Sequence, residues 1–260
     1  MDRYYFTSQP YYSQRLSSPH YQPAVYSSPV EPAREASTYT NVSGDGSLNL
    51  DTILLNPKDC IVLFIDHEPQ MYLGMRSTEP QTVRNNTVGL AKACKLFNVP
   101  TILTTIDEKS FSGTTLQPIL DALGNPKPID RSVINAWQDK DIVEAVKATG
   151  RKKVLISALW TELCGLMPAL SAKAQGYEVY YVTDASGGAT VEAHNMAIQR
   201  MVQAGIIPVT WMQVMLEWQR DWARADTSGE VLKIASEYGG AYGIGIQYHD
   251  QIAKGEVVPK

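Results

Sequence analysis

Cysteine and histidine are scarce in this chain, with three and four residues among 260. Cys60, Cys94 and Cys164 are odd in number and scattered, so they build neither a disulfide framework nor a CxxC metal knuckle. His67, His194 and His249 lie far apart without ligand-like spacing, and the sequence predicts no metal and no other cofactor. A glycine-rich phosphate loop is missing after the first apolar run; Gly74 stands alone there, and Gly187 and Gly188 read as a turn. No apolar run approaches the roughly 18 to 20 residues that cross a bilayer. The net charge of −4 is mild and no block of basic residues occurs, which argues against nucleic acid or a membrane surface as partner. The N-terminus lacks the charged-then-apolar order of a secretory signal, so a soluble, cytoplasmic protein is expected.

Residues 1–50 are rich in Tyr, Ser, Pro and Gln and poor in aliphatic side chains. Such a segment buries too little apolar surface to offset its ordering entropy, and it reads as a tail. Acidic residues are sparse, as in a transit peptide, but arginines are too few for one. Its recurring tyrosines leave room for ordering against a neighbouring subunit. From residue 51 to 225 the text changes to a regular alternation. Near-continuous Val/Ile/Leu/Tyr runs at 61–66, 100–105, 153–159, 178–184 and 207–211 are the mark of strands covered on both faces. Between and after them, helices are predicted over 82–97, 115–123, 139–149, 162–175, 190–204 and 213–223, several ending at a glycine or asparagine such as Asn98 or Gly176. The pattern predicts a Rossmann-like α/β fold: three αβα layers around a mostly parallel sheet of about six strands. Residues 226–260 form a C-terminal extension that reads as a loop and a short helix.

In an open parallel sheet the ligand crevice lies at the carboxyl ends of the strands. Three residues there combine usefully: Asp66 after the first run, Arg131 after Pro128-Ile129-Asp130, and Cys164 just past the third strand run. A thiol in the first turn of a helix sits beside unpaired N–H groups and the positive dipole end, which favour thiolate. A carboxylate can take its proton as general base, and a fixed cation can stabilise thiolate or oxyanion. Each residue also has a plainer reading: Cys164 as a small core side chain, Asp66 as a turn residue, Arg131 as the partner of Asp130.

The ordered combination of Asp66-His67, Arg131-Ser-Val-Ile-Asn135-Ala136-Trp137 and Trp160-Thr161-Glu162-Leu163-Cys164 with Pro168-Ala-Leu-Ser-Ala172 resembles the isochorismatase-like hydrolase superfamily, most closely its YcaC-type branch. The resemblance runs over roughly residues 50 to 225. It implies hydrolysis of a small amide-type C–N bond through a thioester, with Asp66 as base and Cys164 as nucleophile. The family's lysine falls at Arg131, six residues before Trp137; arginine keeps the charge but cannot titrate. The resemblance further implies a cis peptide between Leu159 and Trp160, so that the N–H groups of Trp160 and Cys164 form the oxyanion hole. His67, Trp137, Trp160 and Thr161 are the expected pocket walls, and a homo-oligomer is implied. The Asp-x-His-x-His metal site of nicotinamidases has no counterpart here. The non-enzymatic alternative is a retired hydrolase that binds a small molecule or serves in assembly.

Overall fold

A computed structural model describes residues 50–255, starting with a one-turn helix, α1 (Leu50–Ile53). The tail expected over residues 1–50 therefore lies, but for Leu50, outside the described residues. Six parallel strands form one sheet: β1 (Cys60–Ile65), β2 (Thr101–Ile106), β3 (Ile129–Arg131), β4 (Lys153–Ala158), β5 (Glu178–Val182) and β6 (Ile207–Val209), in the order β3-β2-β1-β4-β5-β6. The order reverses between β1 and β4, which is where an open sheet of this kind leaves its crevice.

Both faces of the sheet are covered, as the unbroken apolar runs require. Side chains alternate along a strand, so Cys60, Val62 and Phe64 of β1 enter one core cluster while Ile61, Leu63 and Ile65 enter the other, and all six are 0–1% exposed. The first face is packed by α3 (Pro80–Leu96), α4 (Gln117–Leu123), α8 (Trp211–Gln219) and α9 (Ser228–Tyr238), which supply Leu90, Ile119, Trp218 and Val231. The second is packed by α5 (Lys140–Ala148), α6 (Leu166–Ala174) and α7 (Val191–Gln203), through Ile142, Ala169 and Met201. Helix ends follow the expected chemistry: Asp139 caps α5 by accepting from the N–H groups of Asp141 and Ile142, and Asn98 and Gly176 take left-handed φ of 53° and 87° just beyond α3 and α6.

Three expectations are corrected. The chain folds a short helix, α2 (Pro69–Gly74), three residues after β1, with proline at its start, in a stretch where no helix is predicted. Arg131 is the last residue of β3 rather than a residue past a strand. The segment after residue 225 forms two helices, α9 and α10 (Ala241–Ala253), and Val231, Ile234 and Ala235 of α9 are buried in the first core. It looked like a loop because Gly239, Gly240, Gly243 and Gly245 mask the helical period, whereas packing on α3 supplies what propensity lacks. Among the described residues no helix is long and apolar enough to cross a membrane.

Candidate active site

Asp66 follows β1 with φ of 58°, a left-handed conformation that few residues other than glycine, asparagine and aspartate adopt. Its N–H still donates to the Thr104 carbonyl of β2 at 3.0 Å, which anchors the turn. Arg131, two strands away, meets it in a fork: Nη1 donates to Oδ1 at 2.6 Å and Nη2 to Oδ2 at 2.8 Å. Both side chains are 0% exposed. The guanidinium is further held by the Thr104 hydroxyl (3.0 Å) and by the carbonyls of Thr105 (2.9 Å) and Ile134 (3.2 Å), so its orientation is determined from three segments of chain. A buried pair of this kind survives only with such additional bonds. Asp130 does not pair with Arg131; it accepts from the Thr105 hydroxyl and the Glu108 N–H.

Cys164 sits in a π-helical turn, Thr161–Gly165, that leads from β4 into α6. The peptide bond between Leu159 and Trp160 is cis. Cys164 is 6% exposed, and its thiol faces the Asp66 carboxylate. Burial and that contact push the thiol well above its ordinary value, while Arg131 and the Trp160 N–H, which faces the sulfur, act in the opposite sense. This corrects the expectation of a thiol made acidic by a helix start. Desolvation and the neighbouring carboxylate both favour the protonated thiol.

The structure therefore brings Asp66, Arg131 and Cys164 together, with Trp160 beside them. The Trp160 indole is half-buried; Nε1 donates to the Met71 carbonyl at 2.8 Å and the ring lies on Gly74, where any side chain would overlap it. The other residues expected at the pocket are buried. His67 is 1% exposed; Nε2 faces Ser157 Oγ at 2.9 Å and Nδ1 faces the Tyr72 hydroxyl at 3.0 Å. Because Ser157 gives its own proton to the Ala185 carbonyl, the network assigns the hydrogen to Nε2, and burial lowers the pKa to about 4. His67 is thus a neutral core histidine. Thr161 is fully buried and bonded to His194 Nδ1 at 2.8 Å, and Trp137 is buried edge-on against Tyr177 with ring centroids 5.3 Å apart.

One acid beside the site carries no role in the sequence reading. Glu68 is 0% exposed; Oε1 accepts from the Ile106 N–H at 2.9 Å, and Oε2 has no hydrogen-bond partner. Burial first, and then the neighbouring Asp66, raise its pKa to about 8. Its place two residues after Asp66 puts it near the same turn. Among the described residues no three His, Cys, Asp or Glu side chains converge as a metal site would need.

Comparison with known proteins agrees with this geometry. The isochorismatase domain matches residues 60–213. The chain is 39% identical over 178 residues to the probable hydrolase YcaC of Escherichia coli, covering 68% of this chain and 85% of that protein. The structure of E. coli YcaC, described as an octameric hydrolase of unknown specificity, superposes with a TM-score of 0.73 at 35% identity, over 77% of this chain and 98% of that one. YcaC of Pseudomonas aeruginosa, solved with hexane-2,5-diol and covalent acrylamide, gives a TM-score of 0.72 at 35% identity, over 76% and 97%. A doubly covered parallel sheet, an acid and a cysteine at its crevice, and this degree of likeness over most of both chains lead to one conclusion: the chain belongs to the isochorismatase family of hydrolases.

Proposed function

We propose that this hydrolase cleaves a small amide-type C–N bond with Cys164 as nucleophile and Asp66 as its base. The observation that carries the reading is the convergence of Cys164 and the Asp66–Arg131 fork from three separate strands. Each carboxylate oxygen has two lone pairs, so Asp66 can hold Arg131 and still accept the thiol proton. The thiolate attacks the carbonyl carbon, and the N–H groups of Trp160 and Cys164 receive the developing oxyanion. As the C–N bond breaks, Asp66 returns the proton to the leaving nitrogen, leaving a thioester on Cys164. Water, giving a proton to Asp66, then attacks the thioester; the C–S bond breaks, the acid departs and Cys164 regains its proton. Arg131 never titrates. It keeps Asp66 aimed and compensates charge, a role that in this family's pattern belongs to a lysine.

Exposed apolar side chains from neighbouring loops, Phe111, Ile134 and Leu163, suit the approach of a small, weakly polar substrate. The octameric state described for E. coli YcaC and the covalent acrylamide described for the P. aeruginosa protein support a homo-oligomer with a reactive nucleophile here as well. Three free thiols suit a reducing, cytoplasmic compartment. The high resting proton affinity of Cys164 favours a second reading, a retired hydrolase that only binds its ligand. Trapping separates the two. Incubation with a panel of small amides and with iodoacetamide, read by mass spectrometry, should add mass to Cys164 in the wild type and not in Cys164→Ala. Turnover of an amide that persists in Cys164→Ala would remove the thiol from the mechanism. An unlabelled but folded wild type would favour the retired protein.

A further inference from the structure

Glu68 is a buried acid beside the reacting groups with no part in the mechanism above. Resting on the hydrolase reading, we propose that Glu68 is a positioning residue that holds a proton beside the Asp66–Arg131 pair, and that releasing this proton to solvent drives the Cys164 proton onto Asp66. Three ionisable side chains, Asp66, Glu68 and Arg131, are closed off from water together, and only one is a cation. Both terminal nitrogens of that cation are forked onto Asp66, and Glu68 has no ion pair with it. A second buried carboxylate without a counter-ion is strongly disfavoured, so Glu68 is carried as the neutral acid.

Geometry fixes what that acid touches. Glu68 begins α2, its carbonyl accepting from the N–H groups of Met71 (3.1 Å) and Tyr72 (3.2 Å), while Oε1 is tied to the end of β2 through Ile106. Oε2 has no partner, and the Ser112 hydroxyl of the Glu108–Ser112 turn, also buried and without a partner, lies near enough to Glu68 to favour the ionised form without a bond of good geometry. The charged groups that face Glu68 are Asp66 from the end of β1 and Arg131 from β3; the polar ones are the Ile106 N–H and the Ser112 hydroxyl. Its pKa, raised to about 8, puts proton release within the working range of most enzymes. Asp66 feels the charge that then appears, whereas Cys164 is governed by Asp66 and Arg131. A negative charge nearer to Asp66 than to the sulfur favours the proton on Asp66 and the negative charge on sulfur. Glu68 loses one proton to water, the S–H bond breaks, an O–H bond forms on Asp66, and no other group is consumed.

The test uses the full-length protein and iodoacetamide, with the rate of labelling at Cys164 followed by mass spectrometry from about pH 6 to about pH 9.5. Glu68→Gln keeps the shape and the acceptor for Ile106 but cannot ionise. The ratio of wild-type to Glu68→Gln rates should be near one at the acid end and climb about tenfold through pH 8, the effect of roughly one pK unit of differential interaction. Ser112→Ala, which removes the hydroxyl that favours the carboxylate, should move that climb to higher pH. An infrared carboxylic-acid band present at the acid end in wild type should be missing in Glu68→Gln. A ratio constant with pH, the signature of a purely structural role, overturns the proposal while leaving the hydrolase reading in place. A wild type that labels elsewhere but never at Cys164 overturns both.

Discussion

The Asp66–Arg131 fork is the interaction on which the site's geometry rests, and a double-mutant cycle measures it. Arg131→Met removes the guanidinium but retains most of its apolar stem, leaving a carboxylate that is 0% exposed without its two charge-assisted bonds of 2.6 and 2.8 Å. Removing one partner of a buried pair costs about 3 to 5 kcal/mol, chiefly because the other charge stays uncompensated. Asp66→Asn leaves the guanidinium with the Thr104, Thr105 and Ile134 oxygens, so its cost should be smaller, about 2 kcal/mol. When both are replaced the uncompensated charge is gone. The double variant should therefore be more stable than the sum of the single losses predicts, by roughly 2 to 3 kcal/mol. Urea unfolding at fixed protein concentration, so that any assembly contributes equally, supplies the four free energies. Against a total stability of about 5 to 15 kcal/mol the effect is large. Additivity within about 0.5 kcal/mol would show that the two residues do not form this pair, and the proposed base would lose its anchor.

Two further outcomes follow from the surroundings of the site. Gly74→Ala places a methyl group into the Trp160 ring, so the indole must shift and its 2.8 Å bond to Met71 must stretch. A loss of about 1 to 3 kcal/mol is expected, with a change in tryptophan fluorescence; unchanged fluorescence and stability would mean that the ring does not rest there. His67 is buried neutral, with its pKa lowered from 6.5 to about 4. The unfolded chain takes up a proton below pH 6.5 that the native state refuses, so this histidine's contribution is intact above that pH and is lost as pH falls toward 4. The stability advantage of wild type over His67→Gln should shrink by about 3 kcal/mol across that window in urea titrations. An advantage that stays constant from neutral to acid pH would refute a buried neutral imidazole.

The layered α/β fold was legible because its determinants are local. Continuous apolar runs such as those of β1 and β4 have no polar face to turn to water, and residues such as Asn98 and Gly176 stop helices by conformational preference alone. Asp66, Arg131 and Cys164 could be singled out from the same text, because strand ends in a parallel sheet share one edge. What the side chains do there was not legible. The turn past β1 sends His67 into the core with Ser157 and leaves Glu68 beside Asp66, a distinction set by Ser157, 90 residues away, and by the Ile106 N–H, 38 residues away. Cys164 reads locally as a thiol at a helix start, but burial and Asp66, 98 residues earlier, reverse the sign of its shift. Periodicity and turn chemistry act over a few residues and so are written in the chain; desolvation and charge pairing depend on which distant groups the fold closes together, and only the tertiary structure decides them.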